Sequence, residues 1–119
     1  MTPREITSAM HRLFPHDVGG NDPWRHLMVD GRLNYSACEA LIRDYISDDL
    51  VVVFVDSQHA VQCSITDAVS HIESFMNIRR VKISNLRFTA RVVVDPIGVG
   101  QGWSSQPNKS MQPTPYRGG

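Results

Sequence analysis

The chain has few of the features that mark several large classes of protein. It contains 2 cysteines among 119 residues, Cys38 and Cys63, and no Cys-x-x-Cys or His-x-x-His spacing. So few cysteines exclude a disulfide scaffold, and we predict neither a metal site nor a bound cofactor. Two isolated cysteines in apolar contexts are instead typical of reduced, buried thiols in a cytoplasmic protein.

Long apolar runs and an excess of one charge are also absent. The longest apolar run, LVVVFV at 50–55, has the length of a strand, and residues 1–10 lack the basic-then-apolar order of a signal peptide. We therefore expect a cytoplasmic protein without a membrane segment. The 12 basic residues balance the 12 acidic ones, so charge does not favour nucleic acid or an anionic membrane as a partner.

What the chain does contain is enough apolar material for one core. Hydrophobic residues make up 41% of the sequence, and a domain of this length folds without disulfides or metals. We assign a single domain to residues 1–103. A tail rich in proline and glycine then occupies residues 104–119.

Three places in the sequence carry a Ser or Thr followed three residues later by an acidic residue, just before apolar residues at helical spacing. These capping patterns begin at Thr2, Ser36 and Ser64. Each predicts the start of a helix. A further short helix is predicted from Asp22 to the Asp-Gly pair at 30–31.

Strand patterns dominate the rest of the domain. Residues 50–56 are β-prone on both faces and predict an interior strand, with 60–63 returning as its antiparallel partner. Residues 80–95 alternate with a period of two, but the phase slips near Asn85, so they form either one bulged strand or two strands. We favour the bulged strand, because Asn-Leu is a poor two-residue turn.

The predicted element order is α-α-β-β-α-β, with helices leading and strands clustering late. This order favours an α+β fold in which helices pack on one face of a small, mostly antiparallel sheet. The glycine-rich segment at 98–102 follows the last predicted strand. It does not predict a phosphate loop, since no helix can follow it and the lysine of such loops is missing.

The strongest candidate for a chemical site follows the strand 50–56. Asp56 and His59 lie three residues apart and can share a proton, with Ser57 or Cys63 as a candidate nucleophile. The same residues are equally typical of a tight turn, and we favour the turn. His71 is predicted to lie exposed on the third helix.

Further candidates concern binding rather than catalysis. Candidate ligand-binding residues are Ser57, Gln58 and Trp103. Candidate interface residues are Arg87, Arg91 and Trp24. The two arginines are predicted to share the solvent face of the sheet, where they pair with acidic residues of the segment 44–49 in the same or a neighbouring chain.

The tail shows one resemblance to known proteins. Residues Asn108 to Gly119, NKSMQPTPYRGG, resemble the C-terminal tails of hypothetical proteins encoded by integron gene cassettes. In those proteins the reading frame continues into the recombination site that ends the cassette. The resemblance implies a small, stand-alone bacterial accessory protein. It implies no fold or site residue for the rest of the chain.

Three functions are compatible with these observations. The first is a non-catalytic domain that binds a small-molecule or protein ligand and works as a homo-oligomer, most simply a dimer. The second is a small accessory enzyme with a site at the end of the strand 50–56. The third is a toxin-neutralising, immunity-type protein whose acidic residues meet a basic enzyme. We favour the first, because of the unpaired edge of a small sheet, the basic stripe with Arg87 and Arg91, and the loop tryptophans Trp24 and Trp103.

Overall fold

The structure, a computed structural model, describes residues 1–14 and 23–104, which form an α+β fold as the sequence predicts. Most of the predicted tail, with the cassette-like stretch, lies outside the described residues. This part of the chain contains three helices: α1 (Pro3–Leu13), α2 (Tyr35–Tyr45) and α3 (Ile65–Ser74). It contains eight strands: β1 (Arg25–His26), β2 (Met28–Val29), β3 (Arg32–Leu33), β4 (Leu50–Asp56), β5 (His59–Ser64), β6 (Val81–Ser84), β7 (Ala90–Asp95) and β8 (Val99–Ser104). No helix of the described ranges is both long enough and apolar enough to cross a membrane.

The first and third helices begin at the predicted capping residues. The Thr2 hydroxyl accepts a hydrogen bond from the Glu5 N–H at 3.2 Å, and the Glu5 carboxylate accepts one from the Thr2 N–H at 2.8 Å. The Ser64 hydroxyl likewise accepts from the Asp67 N–H at 3.1 Å. These bonds satisfy N–H groups that the first turn of a helix leaves without a partner.

The second helix begins two residues earlier than its capping pattern predicts. Asn34, rather than Ser36, is its N-cap, and the Asn34 side chain accepts a hydrogen bond from the Ala37 N–H at 3.2 Å. Asparagine and serine cap helices about equally well. The local pattern therefore predicts the presence of the helix correctly but predicts the wrong N-cap residue.

Six strands form one antiparallel sheet in the order β1-β8-β7-β6-β4-β5, and β2 and β3 form a separate small ribbon. β4 lies inside the sheet, where Val53 pairs with Val61 of β5 and with Ile83 of β6. The prediction of an interior strand at 50–56 with an antiparallel partner is therefore confirmed. β5 forms one edge of the sheet, and the short β1 forms the other.

The two faces of the sheet are covered by different helices. Val51 and Val53 pack with α2 and α3, whereas Val52 and Phe54 pack with α1. Alternate side chains of a strand point to opposite faces, so α1 lies on the face opposite the other two helices. Two of the three helices share one face as predicted, and α1 accounts for the apolar residues on both faces of β4.

The helix predicted between 22 and 31 is wrong, because the described part of this segment forms strands. Arg25 pairs with Gly100 of β8, and the Leu27 N–H donates to the Gly98 carbonyl at 2.9 Å. The backbone of this segment thus bonds to a strand more than seventy residues later. A capping signal in the local sequence carries no information about such a distant partner.

The Asp-Gly pair at 30–31 closes a hairpin instead of ending a helix. Asp30 and Gly31 have φ angles of 53° and 78°, and they connect β2 to β3. Two positive φ angles at the centre of a two-residue loop define the type I′ turn, for which Asp-Gly is a preferred sequence. An Asp-Gly pair is typical of both a helix end and a hairpin turn. Here the pairing of the flanking strands shows that it is a hairpin turn.

The favoured single strand over 80–95 is also wrong, since β6 and β7 are separate strands joined by a turn. The Asn85 side-chain oxygen accepts hydrogen bonds from the N–H groups of Thr89 and Ala90, at 2.9 and 3.0 Å. Phe88 adopts a positive φ of 58° within this turn and packs into the core on the α1 side. The turn lies between Ser84 and Ala90. It is therefore longer than the two-residue Asn-Leu turn that we considered in predicting a single strand.

The glycine-rich segment forms the strand β8, and its glycines allow α2 to pack closely. A Cβ at Gly100 would lie 2.5 Å from the Leu41 side chain, and one at Gly102 would lie 2.2 Å from the Tyr45 ring. Real Cβ atoms do not approach other atoms this closely. The glycines are therefore a packing feature of the α2 face.

Candidate functional site

The hairpin turn between β4 and β5 is organised around the Asp56 carboxylate. One carboxylate oxygen accepts hydrogen bonds from the N–H groups of Gln58 and His59, both at 2.9 Å. The same oxygen lies 2.9 Å from Nδ1 of the His59 ring. The other oxygen accepts a hydrogen bond from Nη1 of Arg79 at 2.5 Å. The turn that the sequence favours is therefore present, and the predicted Asp56–His59 pair forms within it.

These bonds keep Asp56 in its ionised form. The hydrogen bond from the His59 side chain lowers the pKa of the Asp56 carboxyl, and the backbone N–H of Gln58 lowers it further. Each of these donors favours the charged carboxylate over the neutral acid. Asp56 is thus suited to holding the turn and orienting the His59 ring, and it is poorly suited to donating a proton.

The His59 ring forms part of a pocket between the β4–β5 hairpin and α3. It lies roughly perpendicular to the Phe75 ring, with ring centres 5.3 Å apart and an interplanar angle of 76°. The pocket has a volume of about 210 Å³. The residues that line it, which we call the hairpin pocket, are Val53, Val55, Gln58, His59, Ala60, Val61, His71 and Phe75. His71, predicted to be exposed, is half-buried and lines this pocket.

The structure does not bring the candidate nucleophile Cys63 to this pair. Cys63 lies four residues after His59 on the same strand, which separates their Cα atoms by about 13 Å. Burial, together with the nearby Asp67 charge, raises the pKa of the Cys63 thiol to about 11. A thiol with so high a pKa carries little of the thiolate that acts as a nucleophile.

The three candidate ligand-binding residues lie in different places. Gln58 lines the hairpin pocket, whereas Ser57 is exposed in the turn beside it. Trp103 lies on β8, where its ring packs edge-on against the Phe14 ring at a centroid distance of 5.7 Å. The Phe14 contact places Trp103 on the α1 side of the sheet, away from the hairpin pocket.

The two candidate interface arginines do not share a solvent-exposed face. Arg91 is only 2% exposed, and its guanidinium lies over the Phe14 ring, 5.0 Å from the ring centre. Arg87 is exposed in the turn between β6 and β7. The predicted arginine stripe is therefore wrong, because a turn separates the two residues and α1 ends over one of them. The third candidate, Trp24, is 44% exposed beside β1.

The acidic residues near α2 also have other partners than predicted. Asp44 pairs with Arg25 at 2.6 Å, and Asp49 lies 4.0 Å from Arg43. In the basic cluster, Arg80 pairs with Asp95 at 3.1 Å. Each of these basic residues thus has an acidic partner within the same chain.

A second pocket lies at the opposite end of the sheet. It has a volume of about 360 Å³ and a mostly polar surface. The end of α2, the turn between β6 and β7, and the end of β8 form it. Arg87 is among its lining residues. The sequence did not indicate this pocket, because its floor is a turn in a segment that predicts a continuous strand.

The edge strand β5 is the longest stretch of the described backbone with a neighbour on one side only. β5 has six residues, HAVQCS, none of which is Lys, Arg, Asp, Glu or Pro. Val61 in its middle is 37% exposed. Protein sheets commonly protect their edges with charges, prolines or very short strands, and β5 has none of these.

The hydrogen bonds of β5 show which of its backbone groups point outward. The Ile65 N–H donates to the Asp49 carbonyl, in register with the β4–β5 pairing. Bonded pairs alternate along an antiparallel ladder, so Val61 and Cys63 exchange hydrogen bonds with β4. The N–H and carbonyl groups of Gln62, between them, therefore point away from the sheet.

Comparisons with protein-family models, with curated proteins and with solved structures found no match to this chain. Across residues 1–14 and 23–104, no group of three or more His, Cys, Asp or Glu side chains is placed to hold a metal ion. The hairpin turn, the two pockets and the β5 edge are the features of the described residues that bear on function.

Proposed function

We propose that this protein is a non-catalytic binding domain that works as a homodimer, formed when β5 pairs with β5 of a second copy. The observation that carries this proposal is the long edge of β5, which has no Lys, Arg, Asp, Glu or Pro. An exposed strand edge presents a row of backbone donors and acceptors that another strand can satisfy. A second copy of the chain supplies a strand of matching length and polarity.

The same edge fits a two-fold arrangement. Antiparallel pairing of two identical strands relates them by a two-fold axis, so each copy offers the same surface to the other. The outward N–H and carbonyl groups of Gln62 then bond to the partner strand. The Val61 side chains lie close to the axis on the α3 side of the sheet. Because Val61 is exposed in one copy, the pairing also removes apolar surface from water.

The geometry at the end of β4 favours binding over catalysis. The Asp56 carboxylate is occupied by Arg79, by two backbone N–H groups and by His59. The thiol proposed as a nucleophile lies further along β5 and has a raised pKa. Acid–base and nucleophilic catalysis require that the nucleophile and its base lie within hydrogen-bonding distance of each other. Of the two candidate nucleophiles, Cys63 lies about 13 Å from His59 along β5, and Ser57 is exposed in the turn.

Light scattering coupled to size-exclusion chromatography tests the dimer. At about 50 µM chain, we expect a mass of twice 13.4 kDa for the full-length protein. Gln62→Pro removes an outward N–H and should give a monomer that still folds, because proline is tolerated where a strand N–H faces away from the sheet. Val61→Lys places a charge on the edge and should also give a monomer.

Gln62→Ala is the matched control for the proline variant. It keeps the outward N–H and loses only the side chain, whose oxygen accepts a hydrogen bond from the N-terminal amine. We expect Gln62→Ala to remain dimeric. A dimer that persists in both Gln62→Pro and Val61→Lys would show that another surface joins the two copies, and a monomeric wild type would refute the dimer itself.

We also propose, from the resemblance of residues 108–119 alone, that the protein is an accessory product of a mobile gene cassette. The supporting observation is the stretch NKSMQPTPYRGG at the C-terminus. The DNA that encodes it should overlap a recombination site, with inverted repeats that extend past the last codon. Sequencing the region downstream of the gene tests this directly. A coding region followed by unrelated chromosomal genes would contradict it.

A further inference from the structure

The hairpin pocket has the size and lining of a binding site for a small ring. Its walls are aliphatic on the side of β4 and β5 and aromatic on the side of α3. His71 and Phe75 lie four residues apart on α3 or at its end, so both reach the same side of the helix. The polar groups of the lining are the imidazoles of His59 and His71 and the amide of Gln58.

The volume of the pocket limits the size of its ligand. The pocket measures about 210 Å³, while a dry apolar cavity of about 150 Å³ is enough to hold benzene. Sites for drug-sized ligands begin at about 300 Å³. The hairpin pocket therefore has room for one six-membered ring and one small substituent.

The polar lining limits the chemistry of that substituent. The eight lining residues include no Asp, Glu, Lys or Arg, and the nearby Asp56 carboxylate is bonded to Arg79 and to His59. A ligand ammonium group would find no carboxylate in the lining. An acidic hydroxyl suits an imidazole nitrogen, because the hydrogen bond forms whichever partner holds the proton.

The His59 ring is oriented for such a bond. Its Nδ1 is held by Asp56 at 2.9 Å, and the ring lies roughly perpendicular to the Phe75 ring. This leaves Nε2 as the nitrogen that a ligand can reach. A carboxylate that fixes one ring nitrogen while the other meets the ligand is a common means of orienting histidine.

We propose that the hairpin pocket binds a one-ring aromatic acid, a phenol or a benzoic acid, with the ring against Phe75 and the acidic oxygen on Nε2 of His59. The proposal does not depend on the dimer, although Val61 belongs to both surfaces. A monomeric variant such as Gln62→Pro should therefore still bind the ligand.

The test is a titration of the full ¹⁵N-labelled chain, followed by NMR, with 4-methylphenol and with benzoate. Benzylamine serves as the mismatched probe. We expect saturable shifts of residues in the hairpin pocket with a dissociation constant of about 1 mM or tighter, the range of fragment-sized ligands. Benzylamine should bind at least about tenfold more weakly, since its ammonium group loses hydration without gaining a partner.

Two variants locate the binding. His59→Gln removes the imidazole and Phe75→Leu removes the aromatic ring while keeping apolar bulk, and each should weaken binding about fivefold. His26→Gln, on β1 at the opposite edge, should leave the dissociation constant unchanged. The thermal unfolding midpoint of each variant identifies any that fails to fold.

Three results would overturn the proposal. One is the absence of saturable binding of both acids to the wild-type chain. The second is an unchanged dissociation constant in both folded pocket variants. The third is a set of shifts confined to the polar pocket at the other end of the sheet, whose lining includes Arg87.

Discussion

The two edges of the six-stranded sheet differ in every property that controls strand pairing. β1 is two residues long, Pro23 lies just before it, and the Arg25 side chain is held by Asp44 at 2.6 Å. β5 is six residues long and has no charged residue and no proline. Short, charged edges prevent sheets from joining, so β1 is a protected edge and β5 is an open one. The difference indicates where this sheet can accept another strand.

The largest expected effect comes from proline at an inward-pointing position of β5. Val61→Pro removes a hydrogen bond to Val53 of β4 and leaves a buried carbonyl without its donor. We expect a loss of roughly 2–4 kcal/mol in the free energy of unfolding, measured by urea denaturation. Gln62→Pro, one residue further along β5, should lower the free energy of unfolding by less than about 1 kcal/mol when both variants are compared as monomers. Equal losses would contradict the assigned direction of the β5 hydrogen bonds.

A smaller effect on the free energy of unfolding is expected at β8, the strand that pairs with β1. Gly102→Ala places a methyl group where the Tyr45 ring lies, 2.2 Å from the new carbon. The ring must move, and we expect a loss of about 1–3 kcal/mol in the free energy of unfolding. The control is Gly31→Asn, since this turn position has open space and a φ that asparagine tolerates. If Gly102→Ala were as stable as the control, α2 would not rest directly on β8.

The open edge begins at a turn whose stability should depend on pH. The pKa of Asp56 is lowered in the folded state from a reference value of 3.8. A lowered folded-state pKa adds stability at pH values above the reference value, and this stability disappears as the pH falls through the folded-state pKa. Wild type should therefore be more stable than Asp56→Asn at about pH 6, and the difference should shrink as the pH falls below 3.8.

Urea midpoints of both proteins across this pH range provide the measurement for Asp56. The control is Asp49→Asn, because the Asp49 side chain is 97% exposed. At pH 6 the urea midpoint of Asp49→Asn should lie close to that of wild type. A difference for Asp56→Asn that stays constant from pH 6 to pH 2 would show that its carboxylate does not stabilise the turn.

The smallest expected effect is at the protected edge itself. Arg25→Ala removes a partly exposed ion pair with Asp44, which is worth about 0.2–1 kcal/mol. The dimer should be unaffected, since β1 keeps its length of two residues. Light scattering and urea denaturation check both expectations. A change of assembly state in Arg25→Ala would mean that β1 belongs to the interface.

The sequence predicts best the features that depend on nearby residues. Thr2 and Ser64 begin helices because their side chains bond to N–H groups three residues later. The run at 50–56 is interior because it is apolar on both faces. The turn at Asp56 could be predicted equally well, since an aspartate side chain accepts hydrogen bonds from the backbone N–H groups just after it. All of these features have both partners within one short window of the chain.

The features that the sequence did not predict depend on residues far apart in the chain. Arg91 is buried because the end of α1 covers it, and an alternating pattern alone places it in solvent. The strand β1 exists because β8 pairs with it. His71 joins the hairpin pocket because α3 packs beside β5. Residue patterns identify elements, whereas the position of one element over another follows from the packing of the whole domain.

Hydrogen exchange at the Gln62 amide tests the central claim most directly. In the dimer this outward N–H is bonded to the partner strand, so at about 500 µM chain its exchange should be slowed to the range of the β4–β5 ladder. The substitution Val61→Lys, which is expected to give a monomer, should return it to fast exchange. Fast exchange of the Gln62 amide at the high concentration, beside a slow Val61 amide, would contradict pairing through β5.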